Sequence, residues 1–405
     1  MGLIFNIIAW HTIMIIKFFI LKNLRAGIVI NFVTILIIFR NNKYLKPFFK
    51  NNKTYIMYIL LLIFNYNNEI PETYLYGIFN YVILVFNFYL GYVLIKSRIN
   101  FQRFFNFIFY GNFLCLTISL ILLNINSKLV LSMDGGVGRL SSYLGPSQWV
   151  GNIALVTSIL AYRKKEKKKI SKILYLFVLT VLFFVVFFSQ QRSALVIFLV
   201  LNLYFNIKEN ILKIIPLVLI LMLSVRSLNQ IDYGKIQNKN IINKSIHNIQ
   251  KRINAKDLLK GRDKQISRGI DGLSQKPLLG HGTGSSGLNS FGFKYVVADN
   301  NYFRILIDSG IIGFLLFMFI YLKGIFLSYK RNKTLFYILL VYGLQSLGTN
   351  VFSVYYIGDL FWLFLGIANN LKIGEKDVFK RLERKGASSN LSEKFIQNKM
   401  YNLTK

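Results

Sequence analysis

Four arginines stand in contexts where a guanidinium group could bind an anionic substrate. Arg192 lies in Ser189-Gln190-Gln191-Arg192-Ser193, between two strongly apolar segments, and Arg304 precedes Asp308 by four residues, so both lie on one helix face. Arginine's planar fork suits phosphate and diphosphate, and the four together predict a diphosphate site. The four are Arg139, Arg192, Arg262 and Arg304. Taken singly, Arg192 could instead be a turn residue that reaches lipid phosphates, and Arg304 could form a structural ion pair with Asp308.

A glycine-rich stretch, Gly280-His281-Gly282-Thr283-Gly284, is the second candidate for chemistry. Backbone N–H groups of Gly280, Gly282 and Gly284 could approach an anion closely, although no Gly-Lys-Ser/Thr follows and the stretch is therefore not a P-loop. The alternative is a flexible turn. His281 could act as a base or a hydrogen-bond donor, or have neither role.

Several classes of function lack support in the sequence. There is no DxD, no pair of carboxylates and no Walker motif, so nothing indicates a nucleotide-sugar enzyme, a glycosidase or an ATP-driven pump. The chain has one cysteine and three histidines, which give no disulfide framework and no Cys/His zinc site. We therefore expect neither a metal nor another cofactor.

The elements that must position these residues are membrane helices. The chain has 405 residues, of which 54% are hydrophobic, and 50 Lys and Arg stand against 16 Asp and Glu. These basic residues form short clusters between long apolar runs, a pattern that orients membrane proteins and does not indicate nucleic-acid binding. A span needs about 20 mostly apolar residues. The predicted spans are 3–21, 25–39, 54–67, 74–95, 104–126, 147–162, 173–189, 193–207, 212–228, 301–322, 334–351 and 355–371. The first is expected to be retained and not cleaved as a signal peptide.

Lys and Arg are concentrated in every second connection, which predicts that both chain ends are cytoplasmic. The basic connections are 40–53, 96–103, 163–172, 208–213 and 323–333. The chain then divides into four parts: helices 1–9 over 1–228, a long extracytoplasmic loop over 229–300, helices 10–12 over 301–371, and a cytoplasmic tail over 372–405.

Two stretches of the long loop have apolar residues at helical spacing and predict amphipathic helices at the membrane surface. The first contains Ile242, Ile246, Ile249 and Ile253. The second contains Ile266, Ile270 and Leu273, and Pro277 is expected to end it.

Four stretches, in this order, resemble the O-antigen polymerase and ligase family of bacterial polysaccharide assembly. Gly138-Arg139-Leu140 with Tyr143-Leu144-Gly145-Pro146 resembles a segment that enters a helix, and the Arg192 motif resembles the family's Ser-x-x-Arg turn. Gly261-Arg262 with Pro277–Gly284 resembles its loop signature, and Asp299–Tyr302 with Gly310–Gly313 resembles the helix that follows. The similarity covers roughly residues 130–325.

The resemblance implies an all-α polytopic membrane protein with about 12 transmembrane helices in a GT-C-like arrangement. It also implies a glycosyltransferase that works outside the cytoplasm on an undecaprenyl-diphosphate-linked donor, in the bacterial cytoplasmic (inner) membrane. The arginines would neutralise the departing diphosphate. The base would be Asp299 or His281, although Asp299 could instead cap the next helix. Implied partners are undecaprenyl-diphosphate-linked glycans, membrane lipids, a chain-length regulator and a flippase, but no nucleic acid.

Two departures from the family pattern bear on the branch. Gly145 stands where many relatives have Asn, and Asp299-Asn300 stands where the ligases have a His-Asn pair. The second departure favours a polymerase of O-antigen (lipopolysaccharide), capsule or exopolysaccharide repeats over an O-antigen ligase that acts on lipid A core. A flippase for the same lipid-linked repeat is the other alternative. A transporter is expected to have inverted repeats and broken helices, and the sequence indicates neither.

Overall fold

The computed structural model describes residues 42–65, 74, 77, 83–96, 101–125, 130–134, 137–142, 147–207, 262–286, 300–352 and 357–371. The predicted spans 3–21, 25–39 and 212–228 lie outside these ranges, as do the first amphipathic stretch, Asp299 and the tail.

The described residues are mostly helical. The helices, in chain order, are α1 (Leu45–Asn51), α2 (Lys53–Phe64), α3 (Ile83–Lys96), α4 (Phe101–Ile125), α5 (Ser147–Glu166), α6 (Lys172–Ser189), α7 (Arg192–Ile207), α8 (Arg262–Gln275), α9 (Asn301–Arg331), α10 (Lys333–Gln345) and α11 (Ile357–Asn369). The strands are β1 (Leu131–Asp134) and β2 (Val137–Leu140), between α4 and α5. The helix α8 occupies the second predicted amphipathic stretch and ends two residues before Pro277.

Within the described ranges, three helices are long and apolar enough to cross a membrane: Gln102–Leu123, Lys172–Ser189 and Asn301–Arg331. Several shorter apolar helices, among them α2, α10 and α11, accompany them. The chain is therefore a largely helical membrane protein. The number of twelve spans and the GT-C-like arrangement stay predictions.

Contacts between the helix ends define two ends of the bundle. At the first, which we call the basic end, the Arg163 guanidinium donates to Thr334 Oγ1 over 3.1 Å, and Asn52 Nδ2 donates to Asn370 Oδ1 over 3.1 Å. Lys164 lies 4.2 Å from the ring centroid of Tyr110, an arrangement common at membrane interfaces. The opposite end, which we call the loop end, contains Asn65, Asn301 and Gln345. The consecutive helices α9 and α10 therefore run in opposite directions, as the predicted topology requires.

The structure adds three features to what the sequence predicted. The connection before α5 contains an antiparallel hairpin, in which Leu131 pairs with Leu140 and Ser132 with Arg139, so two short strands accompany the helices. The connection predicted over 323–333 is helical as far as Arg331, because a hydropathy window detects only the apolar part of a helix. The helix α9 is also broken at Gly310, where φ is 64° and ψ is −170°.

Candidate functional site

The break in α9 is filled by the glycine-rich segment. In an unbroken helix the amides of Ile311 and Ile312 would bind carbonyls four residues earlier. Here they donate to the carbonyls of Pro277 and Leu278, over 2.8 and 3.2 Å. The freed carbonyl of Ile307 accepts from the His281 amide over 2.8 Å, and that of Asp308 accepts from the Gly282 amide over 3.1 Å. Backbone groups without water must be satisfied internally, and residues 277–282 do this for α9.

The crossing of the two segments requires glycine at Gly280 and Gly310. Both have positive φ, 73° and 64°. A Cβ at Gly280 would lie 2.5 Å from the Ile307 oxygen, and a Cβ at Gly310 would lie 2.2 Å from the Leu278 oxygen. Any side chain at either position would force the two backbones apart, since real Cβ atoms do not approach other atoms this closely.

Asp308 holds the far side of the same segment. One carboxylate oxygen accepts from Ser285 Oγ over 2.9 Å and from the Ser286 amide over 2.8 Å, while the other accepts from the Gly284 amide over 3.4 Å. With these bonds, every backbone amide from Gly280 to Ser286 donates to an acceptor within the protein. The glycine-rich segment therefore binds α9 through its amides in this conformation and does not present them to a substrate anion.

The end of α2 contacts both sides of this junction. Asn65 Nδ2 donates to the carbonyls of Leu279 and Asp308, over 2.5 and 2.8 Å, and Thr283 Oγ1 donates to the Leu62 carbonyl over 2.5 Å. The Thr283 amide donates to the Asn65 carbonyl over 3.0 Å. Asn65 thus links α2, the glycine-rich segment and the break in α9.

His281 is buried beneath α8. Its Nε2 lies 2.6 Å from the Gly272 carbonyl, which can only accept, so Nε2 carries the proton and donates. In the neutral ring Nδ1 is then the basic nitrogen. The predicted role of His281 as a base depends on that nitrogen alone.

Arg304 and the start of α9 lie beside the glycine-rich segment. The Arg304 guanidinium donates to the Ser286 carbonyl over 3.1 Å. The N-cap of α9 is Asn300, whose Oδ1 accepts from the amides of Tyr302 and Phe303 over 3.0 and 3.2 Å. A cap at Asn300 removes the need for Asp299 to cap this helix.

A buried glutamine connects the Arg192 turn with the start of α9. Gln345 Oε1 accepts from Ser193 Oγ over 3.1 Å and from Gln191 Nε2 over 3.4 Å. In the following turn, the Thr349 carbonyl accepts from Asn301 Nδ2 over 2.9 Å. Through this network the elements that begin with Arg192 and Asn301 have fixed positions relative to each other.

The other two arginines that were predicted for the diphosphate site lie on β2 and at the start of α8. Arg139 is on β2, which packs against α5 and α6 at the loop end, and its side chain is half-buried. Arg262 is the first residue of α8, and its side chain lies outside the described part of the chain. It precedes Gly272 by about 15 Å along the helix, at about 1.5 Å per residue. The structure therefore brings together Arg304, His281 and the three glycines, and it links the Arg192 turn to them.

A family model described as O-antigen ligase matches residues 146–318. The matched region contains the Arg192 turn, α8, the glycine-rich segment and the broken part of α9. Over these residues the chain is similar to this family, which supports the resemblance to the O-antigen polymerase and ligase family. No curated protein matches the chain. The family match does not choose between polymerase and ligase, and Arg139 precedes it.

Three polar residues that link helices of the bundle, two of them in the site, were not recognised in the sequence. Asn65 and Gln345 each end an apolar helix at the loop end, and Asp359 of α11 accepts from Asn87 Nδ2 of α3 over 2.8 Å. The available signal was a lone polar residue at membrane depth, which marks a functional candidate by default.

Proposed function

We propose that this chain is a polymerase that joins undecaprenyl-diphosphate-linked oligosaccharide repeats outside the cytoplasm, for O-antigen, capsule or exopolysaccharide. The observation that carries the proposal is the polar network at the loop end, where Gln345 connects the Arg192 turn to the helix that contains Arg304. Cationic groups held at one end of an apolar bundle suit a substrate with an anionic head and a polyprenyl tail.

The chemistry is a displacement at the anomeric carbon of the donor glycan. An acceptor hydroxyl oxygen forms the new glycosidic bond, while the bond from the anomeric carbon to the diphosphate oxygen breaks. The electron pair leaves with undecaprenyl diphosphate, and the hydroxyl proton goes to a base, for which Asp299 and His281 are the candidates. Arg192, Arg304, Arg139 and Arg262 stabilise the negative charge that develops on the leaving group. The donor supplies its own leaving group, so the reaction as proposed needs no nucleotide, metal or other cofactor.

The ligase alternative is supported by the description of the matched family. Against it stands Asp299-Asn300, which replaces the His-Asn pair of the ligases. In this chain Asn300 caps α9 with its side chain.

The flippase alternative gains one observation, the break in α9, since transporters place substrate at discontinuous helices. However, the backbone groups that the break frees at Ile307, Asp308, Ile311 and Ile312 all bind residues 277–282. These groups are therefore already bound within the protein and do not need a transported ligand, which favours an enzyme.

Deletion of the gene in its own host discriminates the three functions. Loss of a polymerase leaves single repeats on the final acceptor, loss of a ligase leaves no repeats there, and loss of a flippase traps lipid-linked repeats facing the cytoplasm. We expect the first outcome, with long polymer restored by the plasmid-borne chain. Either of the other two would overturn the polymerase proposal. A flippase and a chain-length regulator are the proposed partners, and the bacterial inner membrane is the proposed location.

A further inference from the structure

One face of α9 is a continuous stripe of exposed apolar side chains. Its members recur every three or four residues, which places them on one side of the helix. They are Ile311, Ile312, Leu315, Phe319, Leu322 and Phe326. In a membrane-spanning helix such a stripe faces the acyl chains of the lipids.

The stripe is too short to cross the hydrocarbon core. The stripe ends at Phe326, and Lys330 and Arg331 follow it at the end of the helix. Between Phe326 and Ile311 the helix rises about 22 Å, whereas the hydrocarbon core is about 30 Å thick. If α9 is upright with Phe326 at the edge of the core, the break at Gly310 lies inside the core, about 8 Å below the surface at the loop end.

The neighbouring helices are also shorter than the hydrocarbon core is thick. The helix α2 has 12 residues and α10 and α11 have 13 each, which corresponds to about 18–20 Å. Asn65 and Gln345, at the loop ends of α2 and α10, bind the glycine-rich segment and the Arg192 turn. Helices of this length that start at the basic end reach the loop end below the surface, near the level of the break.

Residues 276–279, which we call the Pro277 turn, extend the apolar stripe beyond the break. Leu278 and Leu279 are 62% and 53% exposed, close to the 60% of Leu315 on the stripe. The Leu278 carbonyl binds the Ile312 amide, so the turn is directly adjacent to the stripe. The carbonyls of Pro277, Leu278 and Leu279 all have donors, two of them from α9 and one from Asn65. An apolar turn with bonded carbonyls is compatible with lipid.

We propose that the Pro277 turn is a re-entrant element whose Leu278 and Leu279 side chains lie among the acyl chains of the leaflet at the loop end. At the break, the carbonyls of Pro277 and Leu278 accept the hydrogen bonds that the preceding turn of α9 would otherwise accept, and the Pro277 turn lies on the lipid-facing side of the helix. Lys276, which is exposed, extends its ammonium group towards the headgroups, as lysines near membrane boundaries do. Contact between this turn and lipid does not depend on which reaction the protein catalyses.

Site-directed spin labelling tests the proposal on the full chain in phosphatidylcholine nanodiscs. The only cysteine, Cys115, is buried, and Cys115→Ala gives a cysteine-free background. A nitroxide is placed at Leu278→Cys or Leu279→Cys, with Leu315→Cys as the lipid control and Lys167→Cys, exposed in the turn between α5 and α6, as the water control. Power saturation then compares collisions with oxygen, which concentrates in lipid, and with a water-soluble nickel chelate.

Labels at 278 and 279 should favour oxygen over nickel by a ratio within about two-fold of that at 315, whereas 167 shows the opposite preference. The proposal is overturned by nickel accessibility like that at 167. It is equally overturned by low accessibility to both reagents, which would mean that protein covers the turn. Only variants that remain monodisperse on gel filtration are compared, and Leu278 and Leu279 each give an independent measurement.

Discussion

At the scale of single residues, the arginines differ in what they contact. Arg304 donates to the Ser286 carbonyl and so supports the glycine-rich segment, while Arg192 begins α7 next to the Gln345 network. Arg163, at the basic end, donates to Thr334. Arg192 and Arg163 are thus two half-buried arginines of one bundle at opposite ends, one of them in the proposed site.

Replacement of Arg192 by Ala should therefore abolish long polymer, with a fall in rate of about 10²-fold or more, because one charge-stabilising group is lost from the transition state. Arg192→Lys should restore little activity, since a lysine offers a point charge and no fork. The measurement is the polymer ladder on a gel, normalised to the amount of protein in the membrane. Arg163→Ala is the matched control and should keep the ladder. A normal ladder from Arg192→Ala would assign Arg192 to the turn alone.

Asp299 can now be separated from the helix cap that follows it. The cap is Asn300, and its loss in Asn300→Ala should cost about 1 kcal/mol of stability. If Asp299 is the base, Asp299→Asn and Asp299→Ala should both lack polymer while their thermal unfolding in detergent is unchanged. Polymer from Asp299→Asn would exclude that role and leave His281, through Nδ1, as the candidate base.

At the scale of elements, the decisive feature is a helix completed by a segment from elsewhere in the chain. Sequence patterns predicted α8 and its end near Pro277, and the family resemblance singled out the stretches around Gly280 and Gly310. They did not predict the break, because hydropathy over a window of about 20 residues changes little when one glycine leaves the helical region. They also could not predict Asn65, which binds the Asp308 carbonyl across 243 residues of sequence. Periodicity reports local faces and carries no information about such distant partners.

Substitution at the break should be far more damaging than substitution at a glycine without strain. Gly310→Ala places a Cβ 2.2 Å from the Leu278 oxygen at a positive φ. We expect a loss of stability of at least about 1–3 kcal/mol from backbone strain alone, with loss of polymer. Gly348→Ala is the control, because its Cβ would lie 3.7 Å from the Ser193 side chain, an ordinary contact. Thermal unfolding in detergent measures both, and equal midpoints would contradict the structure of the break.

At the scale of the whole molecule, helix direction and charge agree. Arg163 contacts the start of α10 at the basic end, and α8 is bound at the loop end through the His281–Gly272 contact. The basic clusters around 163–172 and 323–333 therefore lie together, opposite the long loop. The charge asymmetry then assigns the basic end to the cytoplasm, since Lys and Arg are retained on that side.

Reporter fusions test this assignment directly. A fusion after Arg163 should give fluorescent green fluorescent protein and inactive alkaline phosphatase, because the phosphatase folds only outside the cytoplasm. A fusion after Lys256, within the long loop, should give the reverse. The same sidedness at both positions would contradict the topology, and with it the location of the Arg192 turn and the glycine-rich segment outside the cytoplasm. The proposed polymerase needs that location, because its lipid-linked substrate is displayed there, so a failure in this experiment would also remove the physical basis for the polymerase.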